Sequence, residues 1–348
     1  MKIAQVAPLF ESVPPQYYGG TERIVSYLTE ELVRQGHQVT LFASGDSVTH
    51  ARLIAACPRA LRLDEQCVDQ MAHGIVQLDQ VFRQAPAFDL LHFHIDYLHF
   101  PLSIRQRVPH VTTLHGRLDI PDLVPVYQTF PRMPVVSISD AQRAPFPWLP
   151  WQGTVYHGLP AELYTVQDTP GSYLAFLGRI SPEKGVEQAI AIARQAGIPL
   201  KIVAKVDQAD REYFQSVVQP LLDHPLVEYL GEMGEGDKNT FLGHAYALLF
   251  PIEWPEPFGL VMIEALACGT PVIAYRHGSV PEVLEDGVTG WIVAGQDEAV
   301  QAIERVSTLS RTRCRQTFEA RFSVTRMTQD YLRIYQQLLE RRTERTAA

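Results

Sequence analysis

The chain has 348 residues, 46% of them hydrophobic, with a net charge of −9 and a pI near 5.7. That length supports two cores of ordinary domain size, and the acidic balance excludes the basic stripe with which a nucleic-acid binder neutralises phosphates. The four cysteines, Cys57, Cys67, Cys268 and Cys314, form no Cys-x-x-Cys pair and no zinc-finger spacing with histidine, so they read as reduced thiols. No run approaches the ~20 apolar residues of a membrane span, and residues 1–8 lack the apolar stretch of a signal peptide. The expected compartment is the cytoplasm, with no transmembrane segment and with docking on a membrane surface left open.

Short apolar runs alternate with amphipathic stretches from the first residue, the pattern of βαβ units and parallel sheets. Residues 2–8 are the first expected strand. After the loop Pro14-Pro15-Gln16-Tyr17-Tyr18-Gly19-Gly20, the apolar residues Ile24, Val25, Leu28, Leu32 and Val33 recur at helical spacing until Gly36 ends the helix. Strands are expected at 39–43, 90–93, 110–114 and 135–138. The stretch 156–171, with two prolines, two glycines and little periodicity, reads as a linker. A second series follows, with strands at 174–177, 200–204, 227–229, 247–250, 272–274 and 291–293. Helices are expected at 186–195, 211–222, 260–268 and 299–309. In the last segment, 324–340, Met327, Tyr331, Ile334, Tyr335 and Leu338 share one face. The expected fold is α/β, two Rossmann-like domains facing across a cleft: residues 1–157, residues 158–323, and a terminal helix and tail at 324–348. Ligands of such sheets bind at the carboxyl ends of the strands, so function should cluster in strand-to-helix loops.

The strongest local signal is Trp254-Pro255-Glu256-Pro257-Phe258-Gly259-Leu260-Val261-Met262-Ile263-Glu264-Ala265-Leu266-Ala267-Cys268-Gly269-Thr270-Pro271. A carboxylate flanked by prolines opens a nearly all-apolar helix, closed by Gly269 and Pro271. The N–H groups of Phe258, Gly259 and Leu260 at its N-terminus favour an anionic or hydroxyl-rich ligand. Glu264 lies about two turns inside, where a carboxylate requires hydrogen-bond partners. Ribose hydroxyls suit Glu264 and sugar hydroxyls suit Glu256; the alternative is a helix-terminal charge and a solvated position. A second loop, Phe176-Leu177-Gly178-Arg179-Ile180-Ser181-Pro182-Glu183-Lys184-Gly185, carries Arg179 and Lys184, which are able to converge on one diphosphate. Exposed loop cations are the alternative.

In the N-terminal half, Gly19-Gly20-Thr21-Glu22 sits between the first strand and first helix, as a phosphate-approaching loop or as a plain tight turn. It is not Gly-x-Gly-x-x-Gly, which disfavours a nicotinamide cofactor. His115 follows an expected strand end and should protrude into the cleft, unless it is a satisfied structural histidine. His94 and Asp96 end another strand, either lining an acceptor side or, for His94, bonding the sheet edge. No Asp-x-Asp and no metal-ligand set occur, so neither a metal nor a cofactor is expected.

These motifs resemble those of the glycosyltransferase family 4 enzymes, the retaining, group 1 transferases of GT-B architecture, along nearly the whole chain. The family signature, two glutamates separated by seven residues, is matched by Glu256 and Glu264. The resemblance implies that Glu256 holds the donor sugar, that Glu264 holds the ribose, and that Arg179 and Lys184 neutralise the leaving diphosphate. It further implies that Gly19 and Gly20 approach the diphosphate or acceptor, that His115 contacts the donor sugar, and that the last helix crosses back onto the N-terminal domain. The reaction implied is transfer of a hexose, with UDP-glucose the preferred donor, to an acceptor that is a carbohydrate, a small molecule or a lipid-linked group. The chain departs from the family at Ala204-Lys205 and His157-Gly158, where relatives carry Gly and Asn-Gly. Arg105 and Arg107 facing anionic headgroups, and Trp148 and Trp151 lining a sugar cleft, stay open against ordinary surface roles. The rival functions are a nucleotide-sugar epimerase or hydrolase of the same fold, and a non-catalytic two-domain sugar receptor.

Overall fold

The structure is a computed structural model that describes residues 1–17, 19–167, 169 and 171–347, with side chains up to residue 342. Tyr18 of the glycine loop and Asp168 and Pro170 of the expected linker lie outside the described residues. The chain divides into two compact units, Met1–Gly158 with Val324–Ala348, and Leu159–Ser323.

The first unit is built on seven parallel strands: β1 (Lys2–Val6), β2 (Gln38–Ala43), β3 (Arg52–Ala55), β4 (Leu90–Phe93), β5 (His110–Thr113), β6 (Val135–Ser137) and β7 (Trp151–Thr154), in the order β3-β2-β1-β4-β5-β6-β7. The central strands are covered on both faces, so Ile3, Ala4, Val6, Leu90, Leu91 and Phe93 are fully buried. Gln5 and His92 are the polar exceptions, also fully buried. The helix Val324–Ala347 packs on this unit: Tyr331 and Tyr335 are buried, and their hydroxyls bond Thr113 (2.9 Å) and His92 (2.7 Å). Thr325 near its start donates to Glu31 of the helix Gly20–Arg34 at 3.1 Å.

The second unit has six parallel strands: β8 (Tyr173–Arg179), β9 (Leu200–Lys205), β10 (Val227–Tyr229), β11 (Ala245–Phe250), β12 (Val272–Tyr275) and β13 (Gly290–Val293), in the order β10-β9-β8-β11-β12-β13. Its core joins the sheet residues Ile202, Leu249 and Ile273 to Ile190 and Ala193 of the helix Val186–Ala196 and to Ile303 of the helix Gln296–Arg305. The segment expected as one helix at 211–222 instead breaks into a short α turn (Arg211–Tyr213), a wide turn (Phe214–Val218) and a tight turn (Gln219–Leu221). Pro220 lacks the N–H a continuous helix requires there. Among the described residues, no helix is long and apolar enough to cross a membrane.

Candidate active site

Strand order reverses between β1 and β4 in the first sheet and between β8 and β11 in the second. At such a point the loops leaving the carboxyl ends of the strands diverge and open a crevice. In the second unit these are the loops after β8 and β11, and both sequence motifs occupy them. Glu253 N–H donates to Glu183 O at 3.0 Å, tying one loop to the other. Gly185, at φ +71°, packs so tightly that a Cβ would stand 2.0 Å from the Pro251 carbonyl oxygen. Only glycine satisfies both demands.

This junction carries Lys184 onto Glu256. The Lys184 ammonium bonds Glu256 Oε2, which also accepts from Trp254 Nε1 at 2.8 Å, and the ammonium lies 5.0 Å from the Trp254 ring centroid. The two charged side chains are 16% and 11% exposed, so each sustains the other's charge in a mostly dry setting. Both donors take Oε2, and among the described residues none takes Oε1. An ammonium has three N–H donors, so holding Glu256 leaves Lys184 able to bind an anion as well.

The helix Leu260–Ala267 begins just beyond, its entry turned by Gly259 at φ +78°. Its first recorded bond runs from Met262 N–H to Gly259 O at 3.0 Å, so the preceding amides, Gly259 and Leu260 among them, have no acceptor inside the helix. Phe258 is buried beside them. Glu264 is the fifth residue of this helix, a little over one turn in rather than two, because the prolines at 255 and 257 stand outside it. It is buried, not solvated, and its Oε1 accepts from Lys238 Nζ at 3.0 Å. The Tyr164 hydroxyl, 3.4 Å from the same oxygen, lies closer to Glu235, at 2.9 Å. Among the described residues, both of these contacts fall on Oε1 and none on Oε2.

Arg179 bonds Glu183 at 2.5 Å and lies 3.5 Å from Asp210 and 3.9 Å from Asp207. The reason is register: Arg179 pairs with Lys205 across β8 and β9, so it faces the acidic segment that follows β9, where Lys205 bonds Asp207 at 3.1 Å. A guanidinium has five donors, so phosphate contact remains open to it.

In the first unit, Gly19 is extended and precedes the helix that Gly20 begins. A Cβ on Gly19 would stand 2.7 Å from Pro15 Cβ. Glu22, one turn on, is buried, and burial with Glu11 close by pushes its carboxyl up to about 7. His115 follows β5 directly after Leu114, and its Nε2 lies 2.9 Å from His94 Nδ1. His94 Nε2 in turn meets Gln5 Oε1 at 2.8 Å, so both nitrogens of His94 are used inside the unit. Asp96 is exposed, in a left-handed conformation at φ +49°. His157 stacks on His115 with ring centroids 5.4 Å apart, filling the place where relatives were expected to show Asn. Burial pushes His115 down to about 3 and His92, His94 and His157 well below the ordinary range, so these rings are neutral at pH 7. Arg105 and Arg107 are exposed, and Trp151 donates to Phe146 O at 3.0 Å as a packing residue of its strand edge. Among the described residues, no three His, Cys, Asp or Glu side chains gather as a metal set.

The family model described as "Glycosyl transferases group 1" matches residues 166–321, and the one described as "Glycosyltransferase Family 4" matches residues 18–151. The chain belongs to the family 4-like group 1 glycosyltransferases. It is similar to a D-inositol 3-phosphate glycosyltransferase of Mycobacterium marinum, 34% identical over 136 residues, which are 36% of this chain and 27% of that protein. The matched stretch spans less than half the length of the curated relatives. Among solved structures, AviGT4, a glycosyltransferase involved in avilamycin A biosynthesis, matches with a TM-score of 0.73 at 24% identity over 98% of both chains. Anabaena HepE in complex with UDP and glucose matches with a TM-score of 0.75 at 19% identity, over 97% of this chain and 100% of that one. These likenesses show the fold, which is GT-B.

Three further residues, two in the second unit and one in the first, carry no assignment from sequence. Lys238 sits in the polar helix Glu235–Gly243, whose sequence has no apolar period to announce it and no fixed spacing to Glu264. Trp254 stands inside the quoted motif, where an aromatic two residues before a carboxylate was a usable signal. Gln5 had a clearer one: a polar residue in the first strand of a parallel sheet, whose strands are otherwise apolar.

Proposed function

We propose that this chain transfers a hexosyl group from a nucleoside diphosphate sugar to a hydroxyl acceptor, with retention at the anomeric carbon and without a metal ion. The observation that carries the reading is the pair of lysine-carboxylate contacts, Lys184 with Glu256 and Lys238 with Glu264, at the strand-order reversal of the second unit. Each leaves one carboxylate oxygen to accept from ligand hydroxyls, beside amides and cations suited to a diphosphate. In this reading Glu264 holds the ribose, Glu256 the sugar, and Lys184 with Arg179 the diphosphate. The bond from the anomeric carbon to the phosphate oxygen breaks, the acceptor oxygen bonds to that carbon on the same face, and the departing phosphate takes the acceptor's proton. Cations interact more strongly with the charge that grows on the leaving group than with the bound donor, which lowers the barrier. His115, being neutral, supports the sugar by hydrogen bonding. The UDP and glucose held by HepE make UDP-glucose the first donor to test. Thermal shift with a panel of nucleotide sugars, followed by slow hydrolysis of those that bind, tests the reading, since a bound donor raises the apparent stability. Stabilisation by a nucleoside diphosphate and its sugar is expected; none by any member of the panel would contradict it.

A further inference from the structure

We propose that Gln5 and His94 are positioning residues that lock the His115 imidazole with its hydrogen on Nε2, so that Nδ1 meets the substrate as a hydrogen-bond acceptor. The proposal deepens, and rests on, the reading of His115 as a sugar-contacting residue. The hydrogens can be followed one at a time. Gln5 Nε2 donates to the Tyr335 hydroxyl at 3.3 Å, and Oε1 is the acceptor facing His94. At 2.8 Å from that oxygen, His94 Nε2 carries the hydrogen. A neutral imidazole has only one N–H, so His94 Nδ1 is a bare lone pair. The 2.9 Å contact between it and His115 Nε2 is a hydrogen bond only if His115 donates. His115 then has no hydrogen left for Nδ1, a buried atom without a partner among the described residues.

Beyond Gln5, the Tyr335 hydroxyl meets His92 Nδ1 at 2.7 Å, His92 Nε2 meets Thr113 Oγ1 at 2.8 Å, and Thr113 Oγ1 meets the Tyr331 hydroxyl at 2.9 Å, so the buried network is continuous. Burial keeps both His94 and His115 neutral, which this ordering requires. A lone pair at Nδ1 accepts from a hydroxyl and repels a carboxylate or phosphate oxygen. His115 therefore selects a donor sugar that presents a hydroxyl to it over the corresponding uronic acid.

The test uses the full chain with ¹⁵N-labelled histidine, assigning His115 by its loss in His115→Ala and reading long-range ¹H–¹⁵N correlations at pH 7. The expected wild-type spectrum has His115 Nδ1 at the bare-nitrogen position and Nε2 at the protonated one. His94→Leu should give a tautomer mixture and lower kcat about tenfold, the scale of one hydrogen bond, with unchanged affinity for the free nucleoside diphosphate. His94→Asn, whose side-chain oxygen stands near the former Nδ1, should restore the Nε2–H form and most of the turnover. Gln5→Met should match His94→Leu. A hydrogen on Nδ1 in the wild type, or an unaltered tautomer in both His94→Leu and Gln5→Met, overturns the proposal alone. Full turnover by His115→Ala overturns it together with the reading beneath it, and is seen independently of the spectrum.

Discussion

Lys184 and Glu256 stand 72 residues apart in the chain and share a hydrogen bond at the carboxyl end of the second sheet, each mostly removed from water. The contact places the two charges assigned to leaving group and sugar side by side before any ligand arrives. Lys184→Ala therefore has two consequences. It leaves a largely buried carboxylate whose remaining partner among the described residues is Trp254, which should cost about 1–3 kcal/mol of stability and lower the melting temperature. Adding Glu256→Gln to that variant removes the unpaired charge and should recover part of the loss. A Lys184→Ala protein melting with the wild type would mean that the pair contributes nothing to the unbound state.

In kinetics, Arg179→Ala and Lys184→Ala should each lower kcat more than they raise KM, because charge on the leaving oxygen grows toward the transition state. Lys184→Ala should be the more severe, since Arg179 is shared among Glu183, Asp207 and Asp210. Steady-state rates with a saturating acceptor check this. Effects confined to KM in both variants would reduce the two cations to ground-state anchors.

Glu264→Ala should weaken binding of the free nucleoside diphosphate and of the nucleotide sugar alike, by roughly 1.5–3 kcal/mol, the scale of a hydrogen bond to a charged group. Calorimetric titration measures both. Unchanged affinity for the free nucleoside diphosphate would remove Glu264 from the ribose.

The fold was legible in the sequence where burial on both sheet faces demanded a largely apolar run, as at β4, whose bounds agree with expectation. The edge strands β3 and β7 were not anticipated, since a half-covered strand such as Trp151-Gln152-Gly153-Thr154 needs no apolar run. The helices Gln70–Gln84 and Arg311–Arg321 escaped for a similar reason: few positions of either are buried, Cys314 and Phe318 among those of the latter. The site's loops were visible through their prolines and glycines. Its pairings were not, because Lys238 reaches Glu264 and Arg179 reaches the segment after β9 through register, which local spacing does not encode.

The buried histidines make stability depend on pH with a definite sign. Burial holds His92, His94, His99 and His157 well below 6.5 and His115 at about 3, whereas in the unfolded chain they titrate near 6.5. Below 6.5 the unfolded chain binds more protons, so this contribution is fully present above 6.5 and is lost as pH falls toward the folded values. The slope reaches about 1.4 kcal/mol per pH unit for each such ring. Glu22, raised to about 7, and Asp96, raised to about 6, act oppositely, but these two carboxyls stand against five imidazoles. The melting temperature should therefore fall from pH 7 to pH 5, and turnover should show no step near 6.5 from His115. A flat melting temperature across that range would contradict the neutral, buried network.

In the proposed reading Lys184 and Arg179 supply the positive charge that a divalent cation would otherwise bring, so turnover should also survive chelation. Activity abolished by EDTA and restored by magnesium or manganese would contradict this.

The stereochemistry of the product separates retention from inversion. An inverting enzyme needs a base opposite the leaving group to deprotonate the acceptor, and His115, neutral and bonded through Nε2 to His94, is the side chain that would have to serve. Same-face transfer makes no such demand, because the departing phosphate takes the proton. Proton NMR of the product formed from an α-linked nucleotide sugar distinguishes the two through the coupling of the anomeric hydrogen. An α linkage is expected from the wild-type protein, and an α linkage at reduced rate from His115→Ala; a β linkage from the wild-type protein would contradict retention.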